Sequence, residues 1–150
     1  MNLKQLSIVV LLCFLTLLSC DDLRVSAVEV VPGEEIQVRL KEGGDVFLTP
    51  DNVRFKFIQL VGESRCPKGA TCIWGGIAEV RLDMFRPDQQ PVVVLLWIPG
   101  LVTTPYRRNG ITQSGYNITL LQLDPYPDIN KGDGSVVYEA LLAIEKVKTR

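Results

Sequence analysis

The stretch Ile77-Ala-Glu-Val-Arg-Leu-Asp-Met-Phe85 alternates apolar and charged side chains along its length. Its even-numbered positions from 78 to 84 are apolar, and Glu79, Arg81 and Asp83 lie between them. Successive side chains of a β-strand point to opposite faces of the sheet, so this pattern places every apolar side chain on one face. The stretch therefore predicts a strand that covers a core with one face and meets water with the other.

Strand patterns recur on both sides of this stretch. Glu35–Lys41 and Val53–Val61 alternate in the same way, and so does the segment from Tyr116 that ends at Pro125-Tyr-Pro127. The run Val92–Ile98 is apolar throughout, which is typical of a central strand buried on both faces. About eight or nine short strands with frequent turn signals predict an all-β chain. We expect an antiparallel β-sandwich rather than a closed barrel, with an immunoglobulin-like arrangement as one form of it.

The last segment, residues 136–148, fits two structures. On a strand, one face would carry Tyr138, Ala140, Leu142 and Ile144. The segment Glu139–Lys146 is also rich in good helix formers, which keeps a helix open as the alternative. We predict a strand, because a sheet-rich chain needs partners for its exposed edges.

The N-terminus has the pattern of a signal peptide. Lys4 precedes the uncharged stretch Leu6–Ser19, and Cys20 follows it. As a helix that stretch would be about 21 Å long. It is too short for a hydrocarbon core of roughly 30 Å. We therefore expect residues 1–19 to be removed.

The residues around Cys20 suggest a lipid anchor. Leu17-Leu18-Ser19-Cys20 resembles the lipobox of bacterial lipoproteins, in which the cysteine carries a diacylglycerol and becomes the new N-terminus. The resemblance implies a protein anchored in the bacterial cell envelope through acylated Cys20. An ordinary secretory signal with an unmodified cysteine is the alternative. Asp21 is compatible with either membrane and with a periplasmic or a surface face.

The remaining chain shows no internal boundary. We expect residues 20–23 to form a short tether and residues 24–150 to form a single β-sandwich domain. No repeat, low-complexity linker or second composition regime interrupts that range.

Two cysteines remain for the mature domain, because Cys13 lies in the signal and Cys20 is the proposed lipid site. Cys66 and Cys72 are separated by a proline and a glycine that favour a turn, and outside the cytoplasm such a pair predicts a disulfide. A thioredoxin-like redox pair has closer spacing, and a zinc site needs more ligands than the chain offers. Trp74 is expected to pack over the bridge or into the core, with ligand stacking as the alternative.

The cysteine segment also carries a second resemblance. Residues 64–76 read Ser-Arg-Cys-Pro-x-Gly-x-x-Cys-x-Trp-x-Gly. This pattern resembles the signature of a group of small bacterial secreted proteins and lipoproteins of uncharacterised function. Residues 115–127 are similar to that group's downstream strand, although Glu63 stands where the group commonly has aspartate. The resemblance implies a β-rich fold and a disulfide, and no activity.

Composition excludes several functions. The chain has no histidine, which removes His-containing triads and most catalytic zinc sites. A formal net charge of −1 argues against nucleic acid as a partner. Residues 128–135 resemble the start of a calcium loop, but Gly132 occupies a ligand position, so we assign no metal there. We nominate neither catalytic residues nor a cofactor.

These observations predict a lipid-anchored cell-envelope protein that acts as a non-enzymatic binding or accessory module. Its partners would be membrane lipid through Cys20 and an envelope protein or polysaccharide, contacted through loops 62–76 and 99–114. A purely structural or protective lipoprotein is one alternative. It gains support if Trp74, Trp97 and Tyr106 are all buried. A carboxylate-based glycan hydrolase is another, and requires two acidic residues that converge in a cleft.

Overall fold

Nine β-strands in two sheets make up the part of the chain that the computed structural model describes, residues 27–100, 110–131 and 136–148. In chain order they are β1 (Ala27–Glu29), β2 (Glu35–Lys41), β3 (Asp45–Thr49), β4 (Val53–Glu63), β5 (Ile77–Phe85), β6 (Val92–Pro99), β7 (Gly110–Gln113), β8 (Tyr116–Asp124) and β9 (Glu139–Lys146). These residues include no helix, and hence none that could cross a bilayer.

The two sheets form a β-sandwich, as predicted. One sheet has five strands in the order β1-β3-β4-β5-β6, and the other has four in the order β2-β9-β8-β7. Neighbouring strands are antiparallel except for the parallel pair β1–β3. Strands β3 to β6 and β7 to β9 follow one another as meanders. An immunoglobulin domain instead has the order ABED in one sheet and CFG in the other, so the immunoglobulin-like form is not the one observed.

Side chains from the inner faces of both sheets fill the core. The alternation in β5 holds as predicted, with Ala78, Val80, Leu82 and Met84 all buried. Burying a large apolar side chain stabilises a fold by roughly 1.5–3 kcal/mol, so this face is a main source of stability. The Phe55 and Tyr116 rings meet edge to face across the core, with their centroids 5.9 Å apart. This contact joins β4 of one sheet to β8 of the other.

Strand β9 lies in the centre of the four-stranded sheet. It pairs with β2 on one side and β8 on the other, and Leu142 stands between Val38 and Leu120. Ala140, Leu142 and Ile144 are buried, as the strand reading predicted. The helical alternative is wrong, because pairing on both sides and burial outweigh a small intrinsic helix preference.

The apolar run from residue 92 forms β6, and its predicted place in the centre of a sheet is wrong. β6 pairs with β5 alone and is an edge strand. Val94 and Leu96 are buried, whereas Val93 is 50% exposed and Leu95 is 43% exposed. A continuous apolar run does not distinguish a two-sided strand from an edge strand whose outer face is also apolar.

One end of the sandwich collects the features of functional interest. The loop of residues 64–76 joins β4 to β5 there, β6 ends opposite Ile77, and Asp124 at the end of β8 pairs with Glu139 at the start of β9. We call this end of the sandwich the loop end. The hairpins around residues 50–52, 86–91 and 114–115 form the opposite end.

Candidate functional site

A disulfide closes the loop between β4 and β5. Cys66 and Cys72 are bonded, with 5.9 Å between their Cα atoms, which confirms the predicted bridge. The backbone pairing of the two strands continues into the base of the loop. Ser64 N donates to Ile77 O at 2.8 Å, and Cys66 N donates to Gly75 O at 2.8 Å. The loop is thus the tip of a hairpin, held both by backbone hydrogen bonds between the strands and by the covalent bond.

Two glycines let three chain segments meet backbone to backbone at the base of this loop. Gly76 has a φ of +67°, and a Cβ there would overlap the Ser64 carbonyl. A Cβ on Gly100 would overlap the Gly75 carbonyl, and Gly100 N donates to Gly76 O at 2.9 Å. Side chains at these positions would push the segments apart, so the sequence needs glycine at both.

Arg65 is the buried charge of the site, with only 4% of the residue exposed. Its guanidinium donates from Nε to Glu63 Oε1 at 2.9 Å and from NH2 to Glu63 Oε2 at 2.5 Å. NH1 donates to the carbonyl of Leu123 at 3.0 Å, and the guanidinium carbon lies 4.6 Å from the centroid of the Tyr126 ring. A buried arginine is tolerated when its donors are satisfied in this way. The same contacts fasten the loop to the end of β8.

The loop also rests on the segment that follows β8. Lys68 N donates to Pro127 O at 2.9 Å, and Ile129 N donates to Lys68 O at 3.2 Å. The cysteine motif and the Pro-Tyr-Pro segment, which are far apart in sequence, therefore form one structural unit. Sequence reasoning did not predict this contact, because neither segment carries a signal for its partner.

Two consecutive apolar residues stand outside this unit. Ile73 is 100% exposed and Trp74 is 76% exposed. The prediction that Trp74 packs over the bridge or into the core is wrong. Arg65 and Tyr126 stack against each other beneath the loop, and the following glycine backbone packs directly on its neighbours, so the indole remains outside. Contact with a ligand stays as the alternative for this side chain.

Further apolar side chains are exposed near this pair. At the loop end they are Val61, Ile77, Ile129, Val136 and Val137. A groove of about 260 Å³ lies beside them, lined by residues that include Lys68, Ile98 and Tyr126. The loop sequence 64–76 contains no carboxylate, and Lys68 is its only cation besides the paired Arg65. The loop end thus combines exposed apolar surface with positive charge on its disulfide-closed loop.

A second, polar groove of about 270 Å³ crosses the outer face of the four-stranded sheet. The strand register aligns one residue from each strand along it, in the order Thr112, Asn117, Glu145 and Glu35. Asn117 Nδ2 donates to Glu145 Oε2 at 3.2 Å, and Glu35 stands directly opposite Glu145. Two glutamates therefore occupy directly paired positions in this groove. The sequence analysis nominated neither, since their pairing depends on β2 lying beside β9.

Several sequence predictions lie outside the described residues. These are the lipobox with Cys20, the tether 20–23, most of loop 99–114 with Tyr106, and Gly132–Ser135 of the calcium-like loop. Trp97 is half-buried. Asp128 accepts hydrogen bonds from Asn130, as in an Asx turn. In the described ranges there is no group of three His, Cys, Asp or Glu side chains that could hold a metal ion.

Comparison with known proteins identifies no similar protein. No protein-family model matches the chain, and the searches of curated proteins and of solved structures find no match either. A functional interpretation therefore rests on the residues and contacts given above.

Proposed function

We propose that this protein is a lipid-anchored component of the bacterial cell envelope that acts as a non-enzymatic binding or accessory module. The lipobox-like residues 17–20 support the anchor. The contact surface is the loop end, and the observation that carries this assignment is the exposed pair Ile73–Trp74 on a covalently closed loop. Binding partners within reach are an envelope protein, a polysaccharide and the membrane itself.

An exposed tryptophan on a fixed loop favours binding over a purely protective role. Single exposed apolar residues are common, but a cluster at one end of a domain is typical of an interaction surface. Tryptophan is enriched among the residues that dominate binding energy. The loop is already ordered by its disulfide and by Arg65, so little conformational entropy is lost when a partner binds.

Mass spectrometry of the mature protein from its native host tests the anchor. We expect an N-terminus at Cys20 that carries a diacylglycerol, together with an intact bridge between Cys66 and Cys72. An unmodified Cys20, or cleavage at another position, would contradict the lipid anchor.

Photo-crosslinking from single positions tests the contact surface. A benzoylphenylalanine in place of Trp74 is expected to capture an envelope component in intact cells. The same residue in place of Gln37, exposed on the outer face of the four-stranded sheet, is the matched control and should capture much less. Equal capture from both positions, or none from position 74, would favour the protective alternative.

A carboxylate-based glycan hydrolase is the second candidate, and the groove at Glu35 and Glu145 favours it. Retaining glycosidases place two carboxyl groups about 5–5.5 Å apart. Directly opposed cross-strand residues have Cβ atoms about 4.5–5.5 Å apart, so the side chains of Glu35 and Glu145 are long enough to bring their carboxyl groups to such a distance. If this function holds, purified protein releases sugars from envelope polysaccharide. Glu35→Gln and Glu145→Gln would each then lower the rate at least 100-fold, whereas Glu79→Gln on the outer face of the five-stranded sheet would not. The absence of release by the wild-type protein would eliminate this candidate.

A further inference from the structure

Strand β6 differs from the other edge strands in the described part of the chain. The outer strands of the two sheets there are β1, β6, β2 and β7. β1 and β7 have only three and four residues, and β2 carries Glu35, Arg39 and Lys41. β6 has eight residues, pairs with β5 without a bulge and contains no charged side chain. Proteins usually shorten, charge or bend an exposed edge, which prevents further strands from pairing with it, and β6 has none of these features.

The hydrogen-bond pattern identifies which backbone groups of β6 point outward. Gly100 N donates to Gly76 O at 2.9 Å, and the pairing continues from there along the whole of β6 without a shift. In an antiparallel pair, residues that exchange hydrogen bonds alternate with residues that do not. The even-numbered residues of β6 therefore bond to β5, and Val93, Leu95 and Trp97 direct their N–H and C=O groups away from it. Within the described ranges no group hydrogen-bonds to these atoms.

Prolines bound this open edge at both ends. Pro91 precedes β6, and Pro99 is its last residue. Both have odd numbers, so they stand in line with the three outward residues, but proline has no N–H to donate. A strand that binds to β6 must therefore match the N–H and C=O groups of residues 93, 95 and 97 between two positions that lack a donor.

We propose that a second copy of this chain supplies that strand, and that β6 pairs antiparallel with β6 across a twofold axis at Leu95. In this register Leu95 lies opposite Leu95 of the second copy, and Val93 lies opposite Trp97. Every outward N–H and C=O of the three residues then has a counterpart, which makes about six hydrogen bonds. Pro91 lies opposite Pro99, so the two positions without a donor face each other. A shift by two residues would set a proline opposite Val93 or Trp97 and leave a carbonyl without a donor.

The side chains of β6 are complementary to themselves in the same register. On the outer face Val93 is 50% exposed, Leu95 is 43% exposed and Trp97 is half-buried. The pairing places each valine opposite a tryptophan, and aromatic and β-branched residues pair favourably across strands. On the inner face, the buried Val94 and Leu96 lie opposite each other, which continues the core from one copy into the next. Since β6 has no charge, no like charges oppose each other in the strand pair.

This self-complementarity is what favours a second copy as the partner. A twofold contact uses the same surface on both molecules, so that surface must fit itself. β6 does so in the direction of its backbone groups, in the positions of its prolines and in its side chains. The dimer depends on neither the lipid anchor nor a ligand of the loop end, so each of these proposals can fail without the others.

Cysteine crosslinking of the full chain in intact cells tests the register. The Cα atoms of a hydrogen-bonded cross-strand pair are about 5.5 Å apart, which is within the range that a disulfide spans. We expect Leu95→Cys to form a disulfide-linked dimer on mild oxidation. Val93→Cys alone should not, because the two copies of residue 93 are offset by about 13 Å along the strands. Val93→Cys co-expressed with a differently tagged Trp97→Cys should restore the dimer.

Non-reducing gels measure these products, and the wild-type chain controls for crosslinks through the native cysteines. A dimer from Leu95→Cys or from the mixed pair, at least fivefold above Val93→Cys alone, supports the proposal. No dimer from either, or equal crosslinking from Val93→Cys alone, overturns it. A crosslink from position 95 to another protein, with none between copies, also overturns it, because the strand beside β6 would then belong to a different partner.

Sedimentation equilibrium of the protein purified from its native host tests the dimer in solution. One strand pair makes a small interface, so the mass should change from dimer to monomer on dilution. Leu95→Lys places two ammonium groups directly opposite each other and should raise the dissociation constant about tenfold or more. Gln37→Lys, exposed on the outer face of the other sheet, is the matched control and should leave it unchanged. A wild-type protein that stays monomeric at every concentration, or a Leu95→Lys variant that dimerises equally well, overturns the proposal.

Discussion

At the scale of single residues, Asp51 joins the two sheets at the opposite end of the sandwich. The Tyr116 hydroxyl donates to Asp51 Oδ2 at 2.6 Å, and Lys146 Nζ donates to Oδ1 at 2.7 Å. The hydrogen bond from Lys146, followed by that from Tyr116, holds the pKa of the Asp51 carboxyl below its usual value. Burial, followed by the bond to Asp51, raises the pKa of Tyr116. The hairpin before β4 is thereby fastened to β8 and β9.

This carboxylate should make stability depend on pH. A carboxyl whose pKa is depressed by folding stabilises the protein above its unfolded pKa of about 3.9, and that contribution is lost as the pH falls through the folded value. We expect Asp51→Asn to lower the free energy of unfolding by about 1 kcal/mol at pH 7, since the site is partly exposed and screened. Urea denaturation from pH 7 to pH 2 measures it. The difference from wild type should shrink below pH 4, and a constant difference would contradict the assignment.

Glu63 and Arg65 offer a second test at this scale. Glu63→Gln leaves the buried guanidinium without its carboxylate, and breaking a buried ion pair in this way costs about 3–5 kcal/mol. Arg65→Met removes the charge and retains apolar bulk, so it should cost less. Denaturant unfolding of both variants compares the two costs directly. A larger loss for Arg65→Met would show that the contacts of Arg65 with Leu123 and Tyr126 matter more than the ion pair.

At the scale of elements, the disulfide stabilises one loop and not the core. Closing the ring of residues 66–72 contributes about 2 kcal/mol in the chain-entropy model. The double variant Cys66→Ala/Cys72→Ala should therefore melt at a lower temperature and still unfold cooperatively. Thermal unfolding followed by circular dichroism measures this. A chain that no longer folds would mean that the loop is needed to assemble the sandwich.

Substitution of Gly76 at the base of the loop is expected to destabilise the protein more than loss of the disulfide. Gly76 and Gly43 both have positive φ, but only at Gly76 would a Cβ overlap backbone, since nothing lies within 4 Å of a Cβ at Gly43. We expect Gly43→Ala to cost about 1 kcal/mol, which is the backbone conformational strain alone. Gly76→Ala should cost more than about 2 kcal/mol, because the segments must also move apart. Equal losses of stability in chemical denaturation would contradict this steric account.

The sequence predicted the long strands because burial of one face imposes a period of two, as in β5. Short strands such as β1 and β7 carry too few positions for that period to be visible. The prediction placed β6 in the centre of a sheet although it is an edge strand, since the composition of a strand does not show how many neighbours it pairs with. The disulfide was predicted from cysteines close in sequence. The stacking of Arg65 on Tyr126 and the cross-strand pairing of Glu35 with Glu145 were not predicted, because each depends on which segments distant in sequence become neighbours.

At the scale of the whole molecule, the two sheets differ in how far apart in sequence their strands lie. Strands β3 to β6 of the five-stranded sheet are successive hairpins. The four-stranded sheet is completed only when β9 inserts between β2 and β8. We expect truncation after residue 138 to leave both of those strands with open edges and apolar faces, and so to abolish soluble expression. Truncation after residue 148 is the control, and comparable solubility of the two chains would contradict the prediction.

The position of β9 in the chain also determines how long β2 remains unpaired during synthesis. Arg39 in β2 and its ion-pair partner Glu139 in β9 are 100 residues apart in sequence. At about 5–20 residues per second, the ribosome needs roughly 5–20 s to make the chain between them. Throughout that interval β2 has no strand to pair with. Its alternating charges, Glu35, Arg39 and Lys41, oppose pairing with other copies, which is how exposed strands resist aggregation until the right partner arrives.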